Sequence, residues 1–395
     1  MPHHPDASRL DSARADADTN FAATPVDETT AKCPLEKSLK GEVVEVAWAS
    51  GIPVSIAPPY VAPARKPPQE PVIVPHWKAG TAVEDGAGSR RPAVYLIKGK
   101  GSDAVTVKVR ITENKNVTGA STLLGNFAGL VMEGACPTAV GEHIVKAKIK
   151  NLPDAIQWYR GDASWGLHVP SLGSSVSLAN SSRSEIFVVL DTPSPFYSPP
   201  GVWVEALRFL CGKVGVVGMK TSTEVNVRVT TYCHSDHGLM YDTVEGAPKY
   251  GVDNEGGEFK LARYMNAASK VVNCYDQAAA VQSLCGALGV NTTWLYLAPF
   301  GFIKPTNLVG IGLCNNPFFE SNGSKPLVAA DDPLRTRFGN HSFCEFAGGE
   351  LDACAGPHTG SEDRREYCNA SIDSERGRPG TWEQIQNMSG VSSLS

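Results

Sequence analysis

The chain has no apolar stretch approaching the roughly 20 residues needed to span a bilayer, so no membrane span is expected. It also has no run of Lys or Arg. With a formal net charge of −5 it carries no phosphate footprint, and nucleic acid is not an expected partner. The first residues, Met1-Pro2-His3-His4-Pro5-Asp6, have neither the basic nor the apolar region of a signal peptide. Cys233-His234-Ser235-Asp236-His237 has the makings of a metal site, but no second Cys/His pair at ligand spacing accompanies it. Zinc is therefore not the expected reading, and no cofactor is expected.

What the chain does have is size and turns. Its 395 residues suffice for two domains with proper cores, and the 42% hydrophobic content points to globular structure. The 38 Gly and 28 Pro favour strands and loops over a helical bundle. Ten cysteines are many, and five of them (Cys285, Cys314, Cys344, Cys354 and Cys368) fall in the last third. Disulfides in an oxidising compartment and reduced thiols both remain open at this level.

Composition divides the chain. Residues 1–40 are polar and without periodicity, which predicts a disordered leader. Residues 41–91 mix short β-rich pieces, such as Val43-Val44-Glu45-Val46, with a proline-dense link that predicts an extended connector. Over 92–195, period-2 alternation at 93–97, 105–111 and 144–149 predicts strands, with 174–178 and 186–190 following. Little helix intervenes, so an all-β, sandwich-like domain is expected, with Trp158 and Trp165 as packing residues. After the prolines at 193–200 the pattern predicts α+β: helices over 202–210 and 259–268 and strands over 224–231, 293–297 and 308–313. A strand pair, 341–346 and 350–353, closes the domain, which is placed at 200–356. Residues 357–395 are expected to be a polar tail that adds little to the core.

Chemistry concentrates at Asn273-Cys274-Tyr275-Asp276. Counting from Cys274, the residues Ala278, Val281, Cys285 and Leu288 fall on one face of a 3.6-residue helix. Asn273 with Asp276 is a variant capping box, and Gly289 suits the C-terminal stop. Cys274 thus heads the buried stripe, where free N–H groups and the macrodipole favour a thiolate. A cysteine nucleophile needs a base, and the base needs an acceptor on its other ring nitrogen. His341 and Asp352 can supply these. Their separation of 11 residues makes the hairpin register decisive. A turn at Gly348-Gly349 would leave Asp352 roughly 13 Å along from His341, at ~3.3 Å per residue. A four-residue loop over 345–348 would set the two directly opposite, and this register is expected. Cys285 and Cys344 are expected to be core or disulfide residues, and Asp276 a cap.

A Cys heading an Ala-rich helix, then a strand beginning at His, then an Asp on the next strand, resembles the transglutaminase-like superfamily. The matching segments lie within 271–353: Asn273-Cys274 with the helix to Leu288-Gly289-Val290, and His341-Ser342-Phe343-Cys344-Glu345-Phe346 before Leu351-Asp352. The resemblance implies a transglutaminase-like (papain-like) catalytic domain with the triad Cys274, His341 and Asp352. It also implies a thioester route to hydrolysis or transamidation of protein or peptide substrates, without a cofactor. A fragment over 200–356 would contain every triad candidate and is expected to fold alone. The layout of leader, β-domain and enzyme resembles a bacterial effector toxin. It would be secreted without a signal peptide, with a secretion apparatus and an immunity protein as partners and a cell-wall peptide or host protein as target. A cytoplasmic enzyme is the alternative location. A binding or adhesion module with an inactive transglutaminase-like domain is the alternative function.

Overall fold

The computed structural model of the chain describes residues 35–56, 71–72, 75–80, 91–197 and 201–395. Most of the expected leader and the proline-dense link lie outside these residues. Residues 37–395 form one compact unit.

The first half builds a ten-stranded sheet. Its order runs His76–Lys78, Ser38–Trp48, Ala104–Lys115, Gly141–Ile149, Leu130–Cys136, Ser121–Phe127, Gln157–Val169, Ser182–Val189 and Arg91–Leu96, with Ser174–Ser177 also on Gln157–Val169. Residues 38–40, read as the end of the leader, already pair with Ala104–Lys115. Alternation sets the faces: Val105, Val107, Val109 and Ile111 are buried, while Arg110 between them reaches out to Glu42 and Glu142. The sheet curls over this apolar face. Trp48, near one edge, donates its indole N–H to Ser184 Oγ near the other at 2.9 Å and packs on Phe127 at 5.8 Å. A curled sheet of this kind is consistent with a sandwich-like domain. Trp165 is buried and Trp158 stacks on Phe187 at 5.8 Å, so both are packing residues as expected.

The strand Ser182–Val189 explains why Ile186-Phe187-Val188-Val189 is an unbroken apolar run. Ile186 and Val188 enter the core of the sheet, while Phe187 and Val189 enter a second core with Trp203, Leu207 and the Cys274 helix. Val94 and Ile156 join that second core as well. A fragment over 200–356 would lose all four of these side chains, together with the strand Gly390–Leu394 that pairs with Gly256–Phe259. Each full burial is worth about 1.5–3 kcal/mol, so the loss rivals the whole net stability of a domain, about 5–15 kcal/mol. In contrast to the expectation from sequence, the fragment should show no near-ultraviolet circular dichroism, whereas residues 37–395 should retain it.

The second half wraps helices and a five-stranded antiparallel sheet around the helix Cys274–Ala287. The sheet order is His358–Thr359, Gly349–Asp352, His341–Phe346, Thr293–Leu297 and Gln386–Met388. Alternation at 224–231 predicted a strand, but Ser222–Thr231 is a helix. Thr221 and Glu224 close a full capping box, and Val225 and Val229, one turn apart, both point into the core. Of the other two helices expected here, that at 202–210 forms over Val204–Phe209 and that at 259–268 is shorter, Leu261–Met265, while the strand expected at 308–313 is a small hairpin of Thr306–Leu308 and Gly312–Cys314. Residues 357–395 are not a bare tail: they supply the helix Arg364–Ser371 and three strands. Among the described residues, no helix is long and apolar enough to cross a membrane.

Candidate active site

The Cys274 helix starts as its capping residues require. Asn273 is extended, and its Oδ1 accepts the Asp276 N–H at 3.0 Å, while Asp276 Oδ2 accepts the Asn273 N–H at 3.2 Å. Asp276 also accepts the N–H groups of Lys249 at 2.9 Å and Tyr250 at 3.0 Å, which makes it a cap. Burial still pushes its carboxyl up to about 6, against the pull of these donors. With the N–H groups of Asn273 and Asp276 satisfied, those of Cys274 and Tyr275 remain at the open end of the helix. Every residue from Asp276 to Ala287 is buried, so this is a central helix with no solvent-facing stripe. Cys274 itself is 4% exposed. One turn on, Gln277 donates to the carbonyls of Cys233 and Ala353 at 2.9 and 2.8 Å, tying the helix to the segment that follows Asp352.

His341 begins its strand and is fully buried. Neither register considered from sequence is formed. The hairpin turns at Ala347-Gly348, both with positive φ (52° and 84°), which is the two-residue turn that matches the strand twist. Gly349 opens the second strand, where the Gly360 carbonyl would stand 2.2 Å from a Cβ, so the position has room for glycine alone. Pairing runs Phe346 with Gly349, Glu345 with Glu350 and Cys344 with Leu351. Asp352 therefore lies opposite Phe343, two residues along from His341, or about 6.6 Å. The two side chains close that diagonal: His341 Nε2 donates to Asp352 Oδ2 at 2.8 Å.

Asp352 is saturated with donors. Oδ2 accepts from His341 and from the Tyr367 hydroxyl, each at 2.8 Å, while Oδ1 accepts the N–H groups of Cys354 at 2.7 Å and Ala355 at 3.2 Å. Burial alone would raise this carboxyl, but His341 and the donors outweigh it and hold it well below the usual range. For His341 the balance runs the other way: burial lowers the imidazole, and the Asp352 carboxylate more than restores it. Because a carboxylate only accepts, Nε2 keeps its proton in either charge state of the ring, and Nδ1 is the nitrogen that gains and loses one. Nδ1 is buried and has no hydrogen-bond partner among the described residues. Cys274 acts on the same ring as a side-chain neighbour. Phe300, Phe338 and Phe343 enclose the imidazole, with ring centres at 4.9, 5.5 and 5.6 Å.

The remaining expected positions are structural. Cys285 is fully buried in the core, and Cys344 turns its thiol to the Ala278 carbonyl at 3.3 Å. Every cysteine among the described residues is a free thiol. His234 and His237 are engaged on the carbonyls of Asn307 and Tyr264, each at 2.8 Å. Two participants were missed from sequence. Tyr275 donates to Asn340 Oδ1 at 2.5 Å, joining the residue after the cysteine to the residue before the histidine. Tyr367 comes from the segment set aside as a tail. The capping pair Asp363 and Glu366 was the available signal for its helix.

Glu345 lies opposite Glu350 and is held by Arg364 Nε at 2.8 Å. Glu350 is 0% exposed, and neither of its carboxylate oxygens has a hydrogen-bond partner among the described residues, although Arg364 Nε stands 3.9 Å from Oε1. Burial first, then the Glu345 charge, pushes its carboxyl up to about 9. The folded chain thus keeps a proton that the unfolded chain loses above about pH 4.3. The stability from this group is complete below that pH and declines as pH rises toward 9. Glu350→Gln should leave the melting temperature near wild type at pH 5 and raise it relative to wild type at pH 9, as read by calorimetry.

No protein-family model matches the chain. No curated protein matches it either. Among solved structures it is similar to that of red sea bream transglutaminase, with 9% identity and a TM-score of 0.37, over 68% of this chain and 51% of that one. The chain thus spans about half the length of that protein. A likeness this distant carries over neither fold details, nor activity, nor site residues.

Proposed function

We propose that this protein is a cysteine-dependent enzyme that attacks amide carbonyls of protein or peptide substrates through a thioester. In this reading Cys274 is the nucleophile, His341 its base and Asp352 the residue that orients the base. The supporting observation is the buried His341–Asp352 hydrogen bond of 2.8 Å, which leaves Nδ1 unpartnered on the ring that Cys274 adjoins. Nδ1 takes the thiol proton as Sγ adds to the carbonyl carbon. The oxyanion meets the open N–H groups of the helix terminus. The imidazolium then returns its proton to the leaving amine, the C–N bond breaks, and an acyl-thioester remains on Cys274. Water releases an acid, as in an amidase, peptidase or deamidase; an amine gives the transamidation product of a transglutaminase.

Mass spectrometry of protein and cell-wall peptide substrates after incubation tests this reading. It is supported by a one-dalton gain, a cleavage or a cross-link that requires Cys274. No product, together with Cys274 no more reactive to iodoacetamide than the other cysteines, would mark the chain as a binding module instead. As part of the same proposal the enzyme acts as an exported effector on a target outside its producer. Expression inside a recipient cell should then be toxic for wild type and harmless for Cys274→Ala.

A further inference from the structure

The Tyr367 ring is fully buried, stacked on Phe343 with centres 4.5 Å apart and set edge-on to His358 at 4.8 Å. A neutral phenol facing a carboxylate can only donate, so its hydroxyl and the His341 Nε2–H share Asp352 Oδ2, each at 2.8 Å. We propose that Tyr367 is a positioning residue for His341: by occupying the carboxylate oxygen that holds the imidazole, it fixes the ring and limits how tightly the carboxylate retains the imidazole proton. The inference deepens the enzymatic reading and rests on it.

Oδ1 is filled by two backbone N–H groups, so the carboxylate cannot rotate without breaking them. On Oδ2, each donor draws on the same electron density, so a stronger phenol donor weakens the hold on the imidazolium. Removing the hydroxyl leaves Oδ2 to His341 alone. The other titratable groups around His341, Asp352 and Tyr367 are Cys274, Cys344, Cys354, Cys368, His234, His358 and Glu350. Among the described hydrogen bonds, none of these donates to Oδ2.

The test is the NMR titration of the His341 ring in the whole chain labelled with 13C-histidine, assigned by its loss in His341→Ala. Tyr367→Phe keeps the ring and its packing, and should raise the His341 midpoint by at least about half a pH unit, or roughly threefold in proton affinity. Biosynthetic replacement of tyrosine by 3-fluorotyrosine makes the phenol a better donor and should lower the midpoint. This second variant keeps the test open if Tyr367→Phe folds poorly. An unmoved midpoint in both, or movement of both in one direction, overturns the role. Failure of the enzymatic reading looks different: Cys274 alkylation by iodoacetamide would then be as slow as at the other cysteines and unchanged in His341→Ala, whatever the titration shows.

Discussion

Cys274→Ala is expected to reduce amide turnover to background, a fall of at least about 10⁴-fold, with the fold intact. The lost atom is a single sulfur at the first turn of a helix whose cap does not involve it: Asn273 and Asp276 close the box between themselves. Alanine is also the best helix former. The melting temperature should therefore stay within about 2 °C of wild type, a shift below about 0.5 kcal/mol. Cys285→Ala is the complementary case. Its thiol is fully buried between helix and core, so truncation leaves a small cavity and should cost about 1–2 kcal/mol while turnover per folded molecule is retained. Product mass spectrometry and thermal melts on the same samples separate the two. Equal losses of turnover at equal stability would remove Cys274 from the nucleophile's place.

His341→Ala should come next in severity, and Asp352→Asn third but still at least about 10-fold down, or ~1.4 kcal/mol of barrier. The side-chain amide that Asp352→Asn introduces can turn an N–H toward the ring and favour the tautomer with its proton on Nδ1, which cannot take one from sulfur. The penalty should be smaller than in a serine triad, because a thiol at a helix N-terminus depends less on its base. Glu345→Gln is the control. Its carboxylate is engaged by Arg364, so turnover should be unchanged. A collapse in Glu345→Gln with Asp352→Asn unaffected would reverse the assignment. The pair also marks the stability profile. The raised imidazole contributes fully below about pH 6.5 and less as pH climbs through its folded value. The depressed carboxyl contributes fully above about pH 3.9 and less as pH falls through its own. The gap in melting temperature between wild type and Asp352→Asn should therefore be widest between about pH 4 and 6.5.

Some of this structure is legible in the chain because it depends on neighbours within a turn or on strict alternation. The Asn273 cap and the helix from Cys274 rest on contacts three or four residues apart. The strands His341–Phe346 and Thr293–Leu297 rest on a period of two, and both take the expected bounds. The same alternation misled at Ser222–Thr231, where a local capping box and a place in the core for Val225 and Val229 outweighed β-branched residues in sequence. Residues 186–189 announced burial on both faces, but only the meeting of the curled sheet with the second core assigns Phe187 and Val189 to one side and Ile186 and Val188 to the other.

The relation of His341 to Asp352 was beyond local reading. Two glycines in a row offered a turn at either of two registers, and the chain took a third at Ala347-Gly348, with Gly349 pressed against Gly360, a residue eleven positions further on. That one-residue choice sets the diagonal across which the histidine reaches the carboxylate. Tyr367 reaches it from a helix in the segment that composition alone consigned to a tail. Residue types and their spacing were enough to say which side chains could hold a proton and which helix terminus could face them. That His341 and Tyr367 both meet Asp352 was settled in three dimensions, since strand register and a donor fifteen residues away are set by close backbone approach and burial, which no local pattern encodes.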